Sequence, residues 1–404
     1  MSKLYERYKA IVFAFEDKDI SPLNINYSKY LLRVIGKPII NYVIEGLKSI
    51  RVSEIYVLTD NKRLSKYLGE FWGEVFEENT ILTSRDKLSE AIIELKDMLG
   101  RITHILIANG ELIVDNSAYK FIIETHTTSG VDGVFLTVPV TDSETYTTVL
   151  LEYNLVKDVL LPPESTKSSI AYGGLSILPI DALDYIVEFN DLYLALKKVI
   201  SKSRIVQAAW NKPWVLIKYP WDILSANKML LSELKIKRIS TNARIAPSAV
   251  IEGPVIIEDG AIIDHNAVIK GPAYIGRETL IGMGAFIREH SSIEDNAVIG
   301  AHSEIKRSSI QVHANISSWC FIGDSVVGVN ASLGPKVVTL NVLPSGIKVS
   351  RLHPVRVKGR TLTKLGAIIG TGARIGACTV LYPGAYIDAG KWIKPLSIVE
   401  GIIR

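Results

Sequence analysis

Cysteine is almost missing from this chain: Cys320 and Cys378 are its only two, too few for a disulfide framework or a zinc site. No stretch of 18 uncharged apolar residues occurs, which excludes a membrane-spanning helix of ordinary length. The amino terminus, Met1 to Arg7, mixes charges and lacks the apolar run of a secretory leader. Neither sign of charge dominates. Lys and Arg number 46 against 42 Asp and Glu, so a net +4 over 404 residues advertises no field for nucleic acid or a membrane surface. These absences lead to the expectation of a cytoplasmic protein with small-molecule or protein partners. At roughly 100–200 residues per domain, the length allows two to four domains.

What is present is a beat of six. Isoleucine recurs at Ile239, Ile245, Ile251, Ile257, Ile263, Ile269, Ile275, Ile281, Ile287, Ile293, Ile299 and Ile305 without a slip. A small residue precedes most of these by two places, as at Ala243, Ala261, Ala285 and Ser303. Period six fits neither the 3.6 of a helix nor the 2 of an alternating strand. It fits a left-handed parallel β-helix, in which three hexads close one triangular coil, the isoleucines stack inward and the small residue takes the tight corner. Asp264, Glu258 and Arg277 then face water. The beat breaks after Ile305, resumes at Ile310, Ile316 and Ile322, and blurs around Gly328, which occupies the next position between Val327 and Val329. It returns at Ile369, Ile375, Leu381, Ile387 and Ile393. Between lies a basic stretch, 343–364, expected to loop out of the prism; its Lys348, Arg351, His353, Arg356, Lys358, Arg360 and Lys364 read either as a clamp for an anion or as a solvated charge run. Flat exposed faces on such a prism make self-association, as a homotrimer, the expected solution.

The first half has another texture. Strands at 10–15, 54–59, 104–108 and 133–139 alternate with helices opening at Lys37-Pro38 and over 86–98, which argues for a mostly parallel, Rossmann-like sheet. The reading is therefore an α/β domain over 1–232 followed by a β-helix over 233–404.

Four sets of residues carry a resemblance across essentially the whole chain: Lys29 ahead of Lys37, Pro38, Ile39 and Ile40; Trp214 with Pro220, Trp221, Asp222 and Asn227; Phe321 to Asp324; and Lys364 to Gly370 through Tyr382 to Gly384. In that order they resemble the bifunctional sugar-1-phosphate nucleotidylyltransferase/acetyltransferase family, whose best-known members make UDP-N-acetylglucosamine and whose archaeal relatives have a similar length. The resemblance implies two sites. In the first, a glycine-rich G-x-G-x-R loop wraps a nucleoside triphosphate, and an aspartate after a central strand joins one in a Trp-x-Asp sequence to hold Mg2+. In the second, a His-x-x-Tyr-x-Gly-Asp sequence supplies a general base for attack on acetyl-CoA.

This chain departs from both patterns. Phe15, Glu16, Asp17, Lys18 and Asp19 stand where the glycine loop is expected, with Asp19 in place of the arginine. Three carboxylates there, offset by Lys18, oppose a triphosphate. One like-charge pair near 4 Å costs about 4 kcal/mol at an effective dielectric of about 20, as much as millimolar binding supplies, about 4 kcal/mol. The metal positions read Asn109, Gly110 and Glu111, then Trp214, Val215 and Leu216. The Glu-Lys-Pro of the sugar-phosphate contact appears as Leu161, Pro162 and Pro163, and Tyr172 replaces the asparagine before Gly173 and Gly174. In the second site Ser318 replaces the histidine and Phe321 the tyrosine.

Retained positions are Lys29, Glu111 and Asn341 as catalytic vestiges, Lys29 and Gly174 for substrate, Glu111 for metal, and Gly366, Ala367 and Gly370 along a coenzyme A groove. Cys320 reads as a packed thiol, and His265, His290, His302, His313 and His353 as surface residues. The expectation is a catalytically impaired regulatory or scaffolding subunit of sugar-nucleotide metabolism, partnered by an active paralogue. The alternatives are an active enzyme using Mg2+ and acetyl-CoA, and a sensor of a sugar phosphate or sugar nucleotide.

Overall fold

A computed structural model describes residues 8–141, 143–342 and 364–404. Apart from Lys364, the basic stretch 343–364 lies outside the described residues, as does His353. The chain divides into two compact units: one reaches Glu16 and continues over Ile39–Leu216, and the other takes Asp17–Pro38 together with the chain from Ile217 onward.

The first unit is built on a nine-stranded sheet. In strand Lys9–Ala14 every residue after Lys9 is apolar and buried, on both faces, the mark of a central strand covered by helices. It pairs in parallel with Ile55–Thr59 on one side and His104–Asn109 on the other, and Thr80–Leu82 extends the parallel set. Ile170–Pro179 then enters antiparallel, beside both His104–Asn109 and Gly133–Pro139. Thr148–Glu152 and Leu155–Leu160 close the far edge as a hairpin, which a short connection permits only between antiparallel strands. The expected parallel character thus holds through the first four strands, and the remainder is mixed.

Helix Ile39–Ser49 follows Pro38 and buries Ile39, Ile40, Val43, Ile44 and Leu47 at helical spacing. Asn61 caps helix Lys62–Trp72 by accepting from the amides of Arg63 and Leu64, and Gly73, at φ 96°, ends it. No described helix is long and apolar enough to cross a membrane.

The second unit is a left-handed parallel β-helix whose strands form three ladders, one per prism face. The first runs Ile239, Ile257, Ile275, Ile293, Ile310, Val327, Ile369 and Ile387. The others carry Ile245 to Ile393 and Ile251 to Val399 in the same way. Coils advance by eighteen residues to Ile293 and by seventeen from Ile293 to Ile310 and again from Ile310 to Val327. The beat is therefore Val327, Leu333 and Thr339, and Gly328 is not on it. A second one-residue contraction, between Gly323 and Val326, had masked the continuity. The ladders resume after the 343–364 stretch with register intact: Val327 pairs with Ile369 and Thr339 with Leu381.

The corners differ from expectation in one respect. At most corners the residue three before the inward isoleucine adopts positive φ, as at Asn266 (58°), His302 (57°) and Trp319 (64°). The alanine that follows, such as Ala267 or Ala285, is fully buried and points inward. Its small size answers the narrow vertex of the prism rather than the backbone turn.

From Ile257 to Ile387 each ladder isoleucine therefore lies in a sealed stack, whereas Ile239, Ile245 and Ile251 of the first coil are partly open. Replacing Ile299 by Ala should cost about 2–5 kcal/mol in chemical denaturation, whereas Ile262→Ala, on the outer surface, should stay within about 0.5 kcal/mol.

Candidate functional site

Two clusters collect the residues singled out by sequence. The first begins where strand Lys9–Ala14 runs out. Phe15 and Glu16 are held by their own unit: the Glu16 amide donates to Asp60 (2.9 Å), Asn61 donates to the Glu16 carboxylate (3.2 Å), and Arg85 donates to the Phe15 carbonyl (3.4 Å). Asp17 belongs to the other unit and turns toward Lys29. The Lys29 ammonium, with its side chain fully buried, lies 2.6 Å from the Asp17 carboxylate. The same carboxylate accepts from the amides of Asp19 (3.1 Å) and Ile20 (3.4 Å), forming an aspartate turn. The carboxylates at this bend are thus not offset by Lys18 alone, as the sequence suggested: Asp17 is neutralised by a lysine twelve residues away.

The metal positions converge within the first unit. Gly174, at φ 80°, sits between them: a Cβ placed there would lie 3.1 Å from Leu216 and 3.4 Å from Asn109. Strand pairing sets this meeting, because Leu175 lies opposite Ala108 and Leu216 opposite Leu112. An amide and an isobutyl group therefore flank Gly174, both buried. Glu111 is half-buried and its charge acts on the phenol of Tyr193, whose pKa is raised by burial first and by Glu111 second, with the Asn109 and Thr147 side chains offsetting part of the rise. Trp214 donates to the Gly173 carbonyl (2.9 Å), fixing the neighbouring strand. Tyr172 faces the core instead, sharing a hydrogen bond with Ser176 (3.0 Å) against the Phe135 ring. Among the described residues, no three His, Cys, Asp or Glu side chains gather closely enough to hold a metal ion.

The second cluster lies on the β-helix around Gly323 to Ser325. Asn341 donates to Asp324 (2.5 Å), and Arg307 grips the same carboxylate with two hydrogen bonds of 2.6 and 2.7 Å. Gly366 donates to the Asp324 carbonyl (2.8 Å), and a Cβ on Gly366 would stand 2.0 Å from the Gly323 carbonyl oxygen. Ala367 donates from its amide to Ser325 (2.9 Å) and points its methyl into the prism core. Gly370 lies a corner further on, where a Cβ would meet the backbone of the next coil at Ala389 (2.6 Å). Coil packing alone accounts for the small size of all three.

Ser318 precedes the corner residue Trp319, whose exposed ring stacks on His302 with centroids 4.5 Å apart. Cys320 is buried in the core, its thiol 3.3 Å from the Gly334 carbonyl, and burial raises its pKa. His313 and His265 are exposed, and His290 is half-buried beside Ser232 (3.1 Å).

Sequence reasoning missed Arg307, Arg85 and Tyr193. Arg307 is the most legible in hindsight, since it occupies the corner position one coil before Asp324. Tyr193 carries no such signal, because only the folded sheet brings it to Asn109.

Comparison with known proteins agrees with both halves. A model of the nucleotidyl transferase family matches residues 18–209, and the bacterial transferase hexapeptide (six repeats) matches 272–307. A bifunctional GlmU protein of Methanocaldococcus jannaschii is 28% identical over 96% of this chain and 94% of its own. A bifunctional sugar-1-phosphate nucleotidylyltransferase/acetyltransferase of Sulfurisphaera tokodaii is 27% identical over 96% of each chain. An uncharacterized acetyltransferase, YaiX, of Escherichia coli is 37% identical over 42% of this chain and 76% of its own.

Removing the Asp17 carboxylate strands a sealed ammonium. Asp17→Ala should lower stability by about 1–3 kcal/mol in denaturant titration, less than a fully buried pair because Asp17 is partly open to water. An α/β half matched by the nucleotidyl transferase model, a prism of hexads matched by the transferase hexapeptide, and relatives with the same two parts matched nearly end to end support assignment of the chain to the bifunctional nucleotidyltransferase/acetyltransferase family.

Proposed function

We propose that this family member is catalytically impaired in both halves and serves as a regulatory or scaffolding subunit in sugar-nucleotide metabolism. One observation carries the reading: Asn109 and Leu216 close around Gly174, where the family resemblance calls for two metal-binding carboxylates. Mg2+ binds hard oxygen donors and keeps near-octahedral geometry. An isobutyl group offers no donor, so the residues present do not fit the ion, even with Glu111 nearby. The Lys29–Asp17 pair supports the same conclusion. A phosphate reaching Lys29 would first have to displace a carboxylate that already holds it at 2.6 Å.

The acyl half supports the reading for a parallel reason. Ser318 is a hydroxyl at the position of the general base, and a hydroxyl is too weakly basic near neutral pH to deprotonate an amine. Asn341 is committed to Asp324, and Ala367 points away from any groove. Acetyl-CoA therefore lacks the base that would use it.

Scaffolding requires a surface. The third prism face turns Val268 and Phe286, then Phe321, Val338 and Val380 outward in two short apolar rows separated by Glu304, and all five apolar residues are only half-buried in the single chain. Apolar rows of this kind, broken by one carboxylate, suit the homotrimer expected of hexad prisms, with an active paralogue as the further partner. The small molecule that such an assembly would sense or process is a sugar phosphate or nucleotide.

Purified protein incubated with sugar 1-phosphates, nucleoside triphosphates and Mg2+, and separately with acetyl-CoA and amino-sugar phosphates, should show no turnover above the buffer rate. Turnover abolished by Lys29→Met or Asn341→Ala would overturn the proposal. Conversely, the double change Asn109→Asp with Leu216→Asp should create divalent-cation binding detectable by calorimetry and absent from the parent protein.

A further inference from the structure

The segment Asp17–Pro38 lies along the first prism face within the second unit. At its far end Arg33 is clasped by Gln311: the Arg33 amide donates to the Gln311 side-chain oxygen, and the Gln311 amide donates to the Arg33 carbonyl, both at 2.9 Å. The Arg33 guanidinium pairs with Asp295. The Gly36 amide donates to the Glu294 carboxylate at 2.8 Å. At the near end, Tyr386 donates to the Ser21 carbonyl, and Thr371 donates to the carbonyls of Pro22 and Leu23.

Charge is unevenly matched at the far end. Glu294 is fully buried and Asp295 nearly so, yet both carboxylates face the single guanidinium of Arg33, which Asp295 already holds. Among the described residues, Glu294 accepts hydrogen bonds from neutral donors, the Gly36 amide and the Ser292 hydroxyl at 2.5 Å. Tyr274, on the preceding coil, packs so close to Gly36 that a Cβ there would lie 2.0 Å from the phenol oxygen. The titratable and charged groups around this point are Arg33 and Tyr27 from the segment, and Glu294, Asp295, Tyr274 and Glu258 from the prism. Asp295 also accepts from the Arg277 amide (2.8 Å), so its place is fixed by the coil itself.

We propose that Glu294, Asp295 and Arg33 form a proton-controlled latch that fastens the Asp17–Pro38 segment to the β-helix. With Glu294 protonated, its carboxyl donates to Ser292 and still accepts from Gly36, while Arg33 and Asp295 remain a matched pair. With Glu294 ionised, a second buried negative charge appears that Arg33 serves only at a distance. Burial is the leading reason that the Glu294 carboxyl is pushed up to about 7, against 4.5 for an open one. The sign follows from linkage. A carboxyl that holds its proton more tightly when latched strengthens the latch at low pH, fully so below the open value, and the gain is lost as pH rises through about 7. The device goes beyond the proposed lack of catalysis, and it governs the segment that bears Lys29 and Asp17.

Hydrogen exchange of the full-length protein, followed by mass spectrometry of peptides spanning 17–38 and corrected for intrinsic exchange, tests the latch. Protection of this segment should fall about tenfold between pH 6 and pH 8, the ratio set by a shift from 4.5 to about 7. Peptides covering the Ile257 to Ile305 coils should not change. Glu294→Gln, neutral at every pH, should remove the dependence and keep the segment protected at pH 8, while Arg33→Met should expose it at both. Equal protection of the parent segment at pH 6 and pH 8, or an unchanged pH response in Glu294→Gln, overturns the proposal. The parent pH series decides the matter even where a variant fails to fold.

Discussion

The stacking of one aliphatic side chain upon the equivalent one a coil earlier sets everything else in the second half of this protein. Three such stacks fix the rotation of the chain, so a residue's place on a face, at a vertex or at a corner follows from its position in the hexad. The stacks tolerate contraction by a residue, as between Ile305 and Ile310, because only the corner shortens while the inward positions still meet. Most corner residues take positive φ, and Asn266, His302, His313 and Trp319 supply it without glycine. The outward rows are then free to differ, and they do: one face receives Asp17–Pro38, and another presents valines and phenylalanines on either side of Glu304.

The first unit obeys a different constraint, the fixed register of a central sheet. Leu175 opposite Ala108 and Leu216 opposite Leu112 force Gly174, Asn109 and Leu216 together whatever their chemistry. The scaffold of a two-carboxylate site can therefore be present while the donors are not. Lys29 shows the same separation of framework from chemistry. It retains its place, but its ammonium is sealed and answered by Asp17. Burying an ammonium is tolerable only with such a partner. On the proposed reading, the chain's own carboxylate does the work that a phosphate would do in an active relative.

Much of the fold was legible because its signals are local. Twelve isoleucines in step named the prism, and alternating strands and helices named the α/β half. The second contraction was misread because Val327 and Val329 both looked eligible for the beat, and only the pairing of Val327 with Ile310 and Ile369 decides between them. The alanines were assigned to the turn because vertex and corner are adjacent in sequence. Asp17 was read as repelling a ligand, since nothing in a twelve-residue separation announces a pair with Lys29. The attachment of Arg33 to Asp295 and Gln311 spans more than 250 residues and leaves no periodic trace. Ser318, Phe321 and Leu216 stood out only through comparison with a family pattern, because each is unremarkable for packing where it stands.

The central claim is that the chain's own side chains occupy the positions from which relatives would grip a nucleotide's phosphates and metal. Calorimetric titration of the intact protein with Mg2+–UTP measures this most directly. The account predicts no saturable heat at micromolar to low-millimolar nucleotide, and the same baseline for Lys29→Met. A saturable isotherm in the micromolar range that vanishes in Lys29→Met would contradict it.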